Sequence, residues 1–152
     1  MSGSSFSMGP GEGLVNEAFG LPRTFKALPE DTDGALAVWE ETVPEGAGPP
    51  LHVHRGQYEL FSVLDGLLRF RCGERTTDVG AGGTVLVAPD TPHTFKGLAP
   101  EGSRCLLVLS PGEGARFFLE VEREGLSPGE HMDRIAEIGR MHGLEFVGPP
   151  LD

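Results

Sequence analysis

Cysteine is scarce in this 152-residue sequence, which holds two, Cys72 and Cys105. That is too few for a disulfide framework, and neither belongs to a Cys-x-x-Cys pair, so both read as small buried hydrophobes in apolar, strand-like segments. Positive charge is scarce as well. Twelve Lys and Arg against 23 Asp and Glu give a formal net charge of −11 at pH 7, which repels nucleic-acid phosphates and anionic lipid headgroups and excludes both as partners. The sequence contains no apolar run of roughly 18 residues, the length a membrane-spanning helix needs. Its start, Met1 to Gly13, is rich in Ser, Gly and Pro and lacks the basic and apolar stretches of a secretory signal, so a cytoplasmic protein is expected. Tyr and Trp occur once each; the single Trp, Trp39, is expected to anchor the core or to form a pocket wall.

Glycine and proline, by contrast, are abundant. The 23 Gly and 13 Pro are roughly double ordinary usage, which signals many chain reversals, excludes a helical bundle and points to an all-β domain of short strands. Residues 1–34 read as an N-terminal arm with at most one strand. Residues 35–112 read as the β-barrel. Its strands are expected at Ala35–Val43, Leu51–His54, Glu59–Leu64, Leu67–Cys72, Thr84–Val87, His93–Phe95 and Arg104–Ser110, most of them bounded by turn residues. Asp65-Gly66, between two apolar runs, predicts a tight hairpin that sets the register of its flanking strands. On the first of these, Glu59, Phe61 and Val63 share a face; on the second, Leu68, Phe70 and Cys72 point inward while Arg69 and Arg71 meet water. Residues 113–152 form a C-terminal extension with one helix at about 128–142. Ser127 is its cap, Pro128 its first residue and Gly143 its stop, with Met132, Ile135, Ile138 and Met141 as its apolar stripe. Glu120 to Glu124 reads as a solvated bridge, and His131 and His142 as surface or interface residues.

Three histidines fall among the strands. In His52-Val53-His54 the imidazoles are two residues apart, so on a strand both point to one side, within reach of one cation. The Arg55-Gly56 turn resets the alternation and lets Glu59 face the same interior, and His93, on another strand, completes a set of four. Burying these groups together without a cation requires a hydrogen-bond partner for each and leaves a carboxylate charge unbalanced, whereas one divalent ion compensates all four. Imidazole and carboxylate suit manganese, iron, nickel, copper or zinc alike.

The pattern Gly46-x5-His52-x-His54-x4-Glu59-x6-Gly66 resembles the first motif of the cupin superfamily at every defining position. The stretch from Gly82 to Gly97 is similar to the second motif, Gly-x5-Pro-x-Gly-x2-His-x3-Asn. Gly82 and His93 match; Ala88 stands in place of Pro, Asp90 in place of the second Gly and Gly97 in place of Asn, all turn positions rather than ligands. The resemblance implies an antiparallel jelly-roll barrel, or double-stranded β-helix, holding one divalent metal ion through His52, His54, Glu59 and His93. Phe61, Phe70, Phe95 and Trp39 would then line a dry pocket for a small-molecule substrate. It also implies a homodimer. Three functions stay open: a metal-dependent dioxygenase similar to the quercetinase-like cupins, with Glu59 able to move a proton; a non-oxidative isomerase, lyase or decarboxylase; and a small-molecule-binding cupin without catalysis.

Overall fold

The computed structural model describes residues 3–152; Met1 and Ser2, at the start of the expected lead, lie outside the described residues. Two antiparallel sheets face each other around an apolar core. In chain order the strands are β1 (Leu14–Asn16), β2 (Arg23–Ala27), β3 (Ala37–Val43), β4 (His52–His54), β5 (Tyr58–Asp65), β6 (Leu67–Cys72), β7 (Arg75–Gly80), β8 (Thr84–Val87), β9 (His93–Gly97), β10 (Ser103–Ser110) and β11 (Leu144–Phe146). The six-stranded sheet runs β1-β2-β3-β10-β5-β8 and the five-stranded sheet β11-β4-β9-β6-β7. This is the jelly-roll arrangement expected from the sequence. Among the described residues no helix is long and apolar enough to cross a membrane.

Strict alternation builds the core. Along β10, Ser103, Cys105, Leu107 and Leu109 are buried and the residues between them are not; along β5, Glu59, Phe61 and Val63 face inward while Tyr58 and Leu60 face out. From the opposite sheet Leu68, Phe70 and Phe95 meet Phe61, whose ring lies 5.1 Å from Phe70 and 5.6 Å from Phe95. Arg69 and Arg71 occupy the outward positions of β6.

Three expectations change. Asp65-Gly66 is not a hairpin, because β5 pairs with β8 and β10 while β6 pairs with β7 and β9. It is the corner at which the chain leaves one sheet for the other: Gly66 takes φ 83°, and Ser103 Oγ clamps the exit by accepting from Leu67 N at 3.0 Å and donating to Leu67 O at 3.1 Å. The hairpin lies one strand later, where Gly73-Glu74 joins β6 to β7 with Cys72 opposite Arg75. The segment read as an arm carries two strands, β1 and β2, that extend the six-stranded sheet beyond β3. Finally, the Glu-rich stretch belongs to a first helix, α1 (Arg116–Arg123), packed by Phe117 and Val121.

The second helix, α2 (Pro128–Met141), starts behind Ser127 and stops before Gly143 at φ 80°. Ser127 caps without a side-chain bond; its amide donates instead to His131 Nδ1 at 3.1 Å. Ile135 and Ile138 are fully buried against Phe117, Val121 and Leu144, whereas Met141 is 63% exposed. Each three-residue step falls about 60° short of a turn, so the stripe that begins at Met132 has drifted to the opposite side by Met141.

Candidate metal centre

The ends of three strands converge between the sheets. β4 presents His52 and His54, with Val53 also buried; β9 places His93 directly opposite His52 in the ladder; β5 brings Glu59 from the facing sheet. Gly56, at φ 69°, turns the chain so that five residues of separation return Glu59 to the histidines' side. All four side chains are buried, and one ligand atom from each lies within 4.8 Å of all the others. The ring centroids of His52 are 5.1 Å from His54 and 4.3 Å from His93.

Backbone carbonyls orient two of the rings. His52 Nδ1 lies 2.8 Å from Pro50 O and His93 Nδ1 lies 2.9 Å from Thr91 O, so each Nδ1 carries the proton and each Nε2 turns a lone pair to the centre, the outer partner that metal-binding imidazoles require. Glu59 meets them with Oε1 3.0 Å from His93 Nε2 and Oε2 3.6 Å from His54 Nε2. Burial pushes the Glu59 carboxyl up, but the charges of the imidazoles and the bond to His93 outweigh it and hold its pKa at about 2. Burial, with His93 and His54 adding like charge, drives His52 well below the ordinary imidazole value; burial also lowers His54 against the pull of Glu59. Burial acts on His93 in the same sense, yet its bond and charge interaction with Glu59 and its Thr91 bond raise it. A neutral Nε2 and a carboxylate oxygen at 3.0 Å both offer lone pairs, and only a proton or a cation between them makes the contact favourable. Nitrogen and oxygen donors in this closed cluster fit manganese, iron, nickel, copper or zinc.

A narrow cavity of about 40 Å³ leads away from His52, His54 and Glu59. The expected lining residues separate. Trp39 and Phe95 form part of the wall, whereas Phe61 and Phe70 lie in the core between the sheets and do not reach it. Their places are taken by Phe19, Phe117, Phe118 and Phe146, supplied by the N-terminal segment, α1 and β11, which the sequence reading did not connect with the site. His131 and His142 stay apart from the cluster; His142 faces Glu120 at 3.2 Å.

The sequence reading also passed over a buried ion pair in the same wall. Arg23, on β2, donates from Nε to Glu41 Oε1 on β3 at 3.0 Å and from a terminal nitrogen to Asn16 Oδ1 at 2.8 Å and Ala18 O at 2.9 Å. Its guanidinium lies 4.0 Å over the Phe118 ring. Burial raises the Glu41 pKa against the opposing pull of Arg23, and the charge of Glu59 adds to the rise. A signal was available: with Trp39 inward, period-two alternation puts Glu41 inward too.

Residues 39–109 match the family model described as a cupin domain. No curated protein sequence matches. Among solved structures, an RmlC-like cupin from Shewanella frigidimarina is 19% identical, with 74% of this chain and 96% of that one covered at a TM-score of 0.60. A predicted oxalate decarboxylase from Thermotoga maritima is 18% identical, with coverage of 63% and 88% and a TM-score of 0.58. The cupin domain of Schizosaccharomyces pombe Cnp3 is 18% identical, with coverage of 70% and 72% and a TM-score of 0.56. At these identities the likeness is one of fold. The two-sheet architecture and the matched segment that carries the His52, His54, Glu59 and His93 pattern agree, and residues 39–109 of this chain are a cupin domain.

Proposed function

We propose that this cupin is a metal-dependent dioxygenase acting on a small, largely apolar organic substrate. The observation that supports it is the convergence of three buried imidazoles and one buried carboxylate at the inner end of an aromatic-walled cavity. When bound there, a divalent cation supplies Lewis-acid polarisation of substrate oxygens and, where redox-active, electron transfer to dioxygen. The chain's own residues do the rest. His52 and His93 are pre-oriented by Pro50 and Thr91, Glu59 is positioned to hold or pass a proton beside the centre, and the Phe and Trp side chains keep water out. The two cysteines are free, which supports a reducing, cytoplasmic setting.

A second reading, a non-oxidative isomerase, lyase or decarboxylase, is favoured by one specific feature: Glu41 is a second carboxyl in the cavity wall whose proton affinity is raised by burial, suited to acid–base work on substrate. The two readings part on oxygen. Protein loaded in turn with iron, manganese, nickel, copper and zinc is assayed on a panel of flavonols and 1,3-diketones in air and under argon. Turnover in air that stops under argon, with zinc inactive, supports dioxygenation; equal turnover under argon, sustained by zinc, overturns it in favour of the second reading.

A further inference from the structure

Two buried polar features in the cavity wall are not used by the metal centre. The Trp39 indole Nε1–H is buried and faces the Glu41 carboxylate without making a hydrogen bond of ordinary geometry to it or to any other group, so the donor is left poorly paired. Two residues along the same strand and face, the Glu41 carboxylate is fixed by Arg23, whose other bonds go to Asn16 and Ala18. All three side chains line the same cavity as His52, His54 and Glu59. In the six-stranded sheet β10 separates β3 from β5; Glu41 lies opposite Cys105 and Glu59 opposite Leu109. The two carboxylates therefore come from positions two strands apart and four residues along, and both line one cavity.

We propose that Trp39 and Glu41, with Arg23 as the positioning residue, form a subsite that recognises a neutral hydroxyl group, so that the substrate is a compact apolar body with metal-binding oxygens at one end and a hydroxyl at the other. The inference deepens the metal-enzyme reading above and rests on it. The chemistry selects the group. The ligand must accept from the indole N–H and donate to a carboxylate, and a hydroxyl does both. A ligand carboxylate would face the charge of Glu41, and a ligand ammonium would face the guanidinium and the indole N–H. Phe19, Phe117 and Phe118 in the same cavity wall favour a flat apolar body.

Two probes that differ only at the distal group test this on the full chain loaded with zinc: benzohydroxamic acid, which chelates through its hydroxamate, and 4-hydroxybenzohydroxamic acid, which adds the hydroxyl. Isothermal titration calorimetry should show the hydroxylated probe binding roughly 10-fold or more tightly, because a hydroxyl that completes the poorly paired indole N–H discriminates strongly against a probe that lacks it. Trp39→Phe should reduce that preference. The double variant Arg23→Met/Glu41→Leu removes the ion pair as a unit, leaving no lone buried charge, and should abolish it. Equal binding of the two probes to the wild type, or a preference that survives both variants, overturns the subsite while leaving the metal centre standing. Should the double variant not fold, the wild-type comparison and Trp39→Phe decide. If neither probe binds the zinc-loaded protein, the metal-centre reading fails and the subsite with it.

Discussion

His93 carries the balance of charge at the centre. One nitrogen is committed to the Thr91 carbonyl and the other faces the Glu59 carboxylate, so without a cation these contacts favour the protonated ring and raise its pKa against the opposing effect of burial. A divalent ion must displace that proton. Zinc uptake near neutral pH is therefore expected to release protons, and affinity to fall about tenfold per pH unit below the His93 pKa; calorimetry in buffers of different ionisation enthalpy measures both, and pH-independent affinity between pH 5 and 7 would contradict the assignment. Replacing His52 or His93 with Ala should weaken zinc binding by more than about 100-fold, the upper range for partners that merely orient such ligands. These four residues were legible in the sequence because the His-x-His spacing, a reset turn and a distant His have one cheap electrostatic solution. Glu41 was not read, because the neighbouring acids Glu40 and Glu41 look like a solvated pair unless the inward Trp39 is carried two residues along the strand. Arg23 was hidden by a segment whose apolar residues show no period. Asp90 shows how a motif tolerates a change: at φ 65° it adopts the left-handed backbone that glycine usually supplies there, a conformation short polar side chains accept, and its amide donates to His54 O at 3.1 Å.

The strands with alternating apolar residues were readable, and so was the edge strand β8, while the other three edges were not. β7 reads Arg-Thr-Thr-Asp-Val-Gly and is exposed over its first four residues; an edge strand of this kind buries too little to leave a hydrophobic pattern. β1 and β11 are three residues each and also lie at sheet edges. The Asp65-Gly66 corner shows a different limit: a turn signal fixes the local backbone, but which sheet receives the next strand is decided by long-range packing. That corner is specific to glycine. A Cβ on Gly66 would stand 2.3 Å from Ser103 Oγ and 2.8 Å from Gly102 O, at a φ that costs a non-glycine residue about 1–3 kcal/mol before any clash. Gly66→Ala is expected to destabilise the fold by at least that amount, seen as a lower urea midpoint with an unchanged slope. Because Leu67 and Ser103 share the clamp, Ser103→Ala should remove about 1 kcal/mol and lose part of its effect in the Gly66→Ala background. Purely additive losses would show that the corner is not the coupled unit the two bonds suggest.

At the scale of the whole molecule, the centre ties the two sheets together, since β4 and β9 belong to one and β5 to the other. A cation held by all four side chains is thus a cross-link between layers, and anything that binds the folded state alone stabilises it by mass action. At a free zinc concentration about 1,000 times Kd the gain is about 4 kcal/mol, which for a domain of this size raises Tm by about 8–16 °C. The pH dependence follows from the signs of the shifts. His52 and His54 have lowered folded-state values, so their contribution is complete above the unfolded imidazole value of about 6.5 and is lost as pH falls below it. Glu59, held at about 2, contributes fully above the unfolded carboxyl value near 4.3 and is lost only as pH falls toward 2. His93 runs the other way: its raised value makes a contribution that is complete below about 6.5 and disappears as pH climbs through that raised value. Between pH 7 and 5, then, the metal-free protein has two imidazoles losing stability against one already contributing, and Glu59 unchanged. The zinc-loaded protein has a further loss, because protons compete directly for the nitrogens. The Tm difference between zinc-loaded and chelator-treated protein should accordingly be greatest above pH 7 and shrink toward zero by pH 5, as measured by calorimetric scans at fixed free zinc. A difference that stays constant across that range would mean zinc binds somewhere other than these imidazoles. With His52→Ala, the difference should be much smaller at every pH.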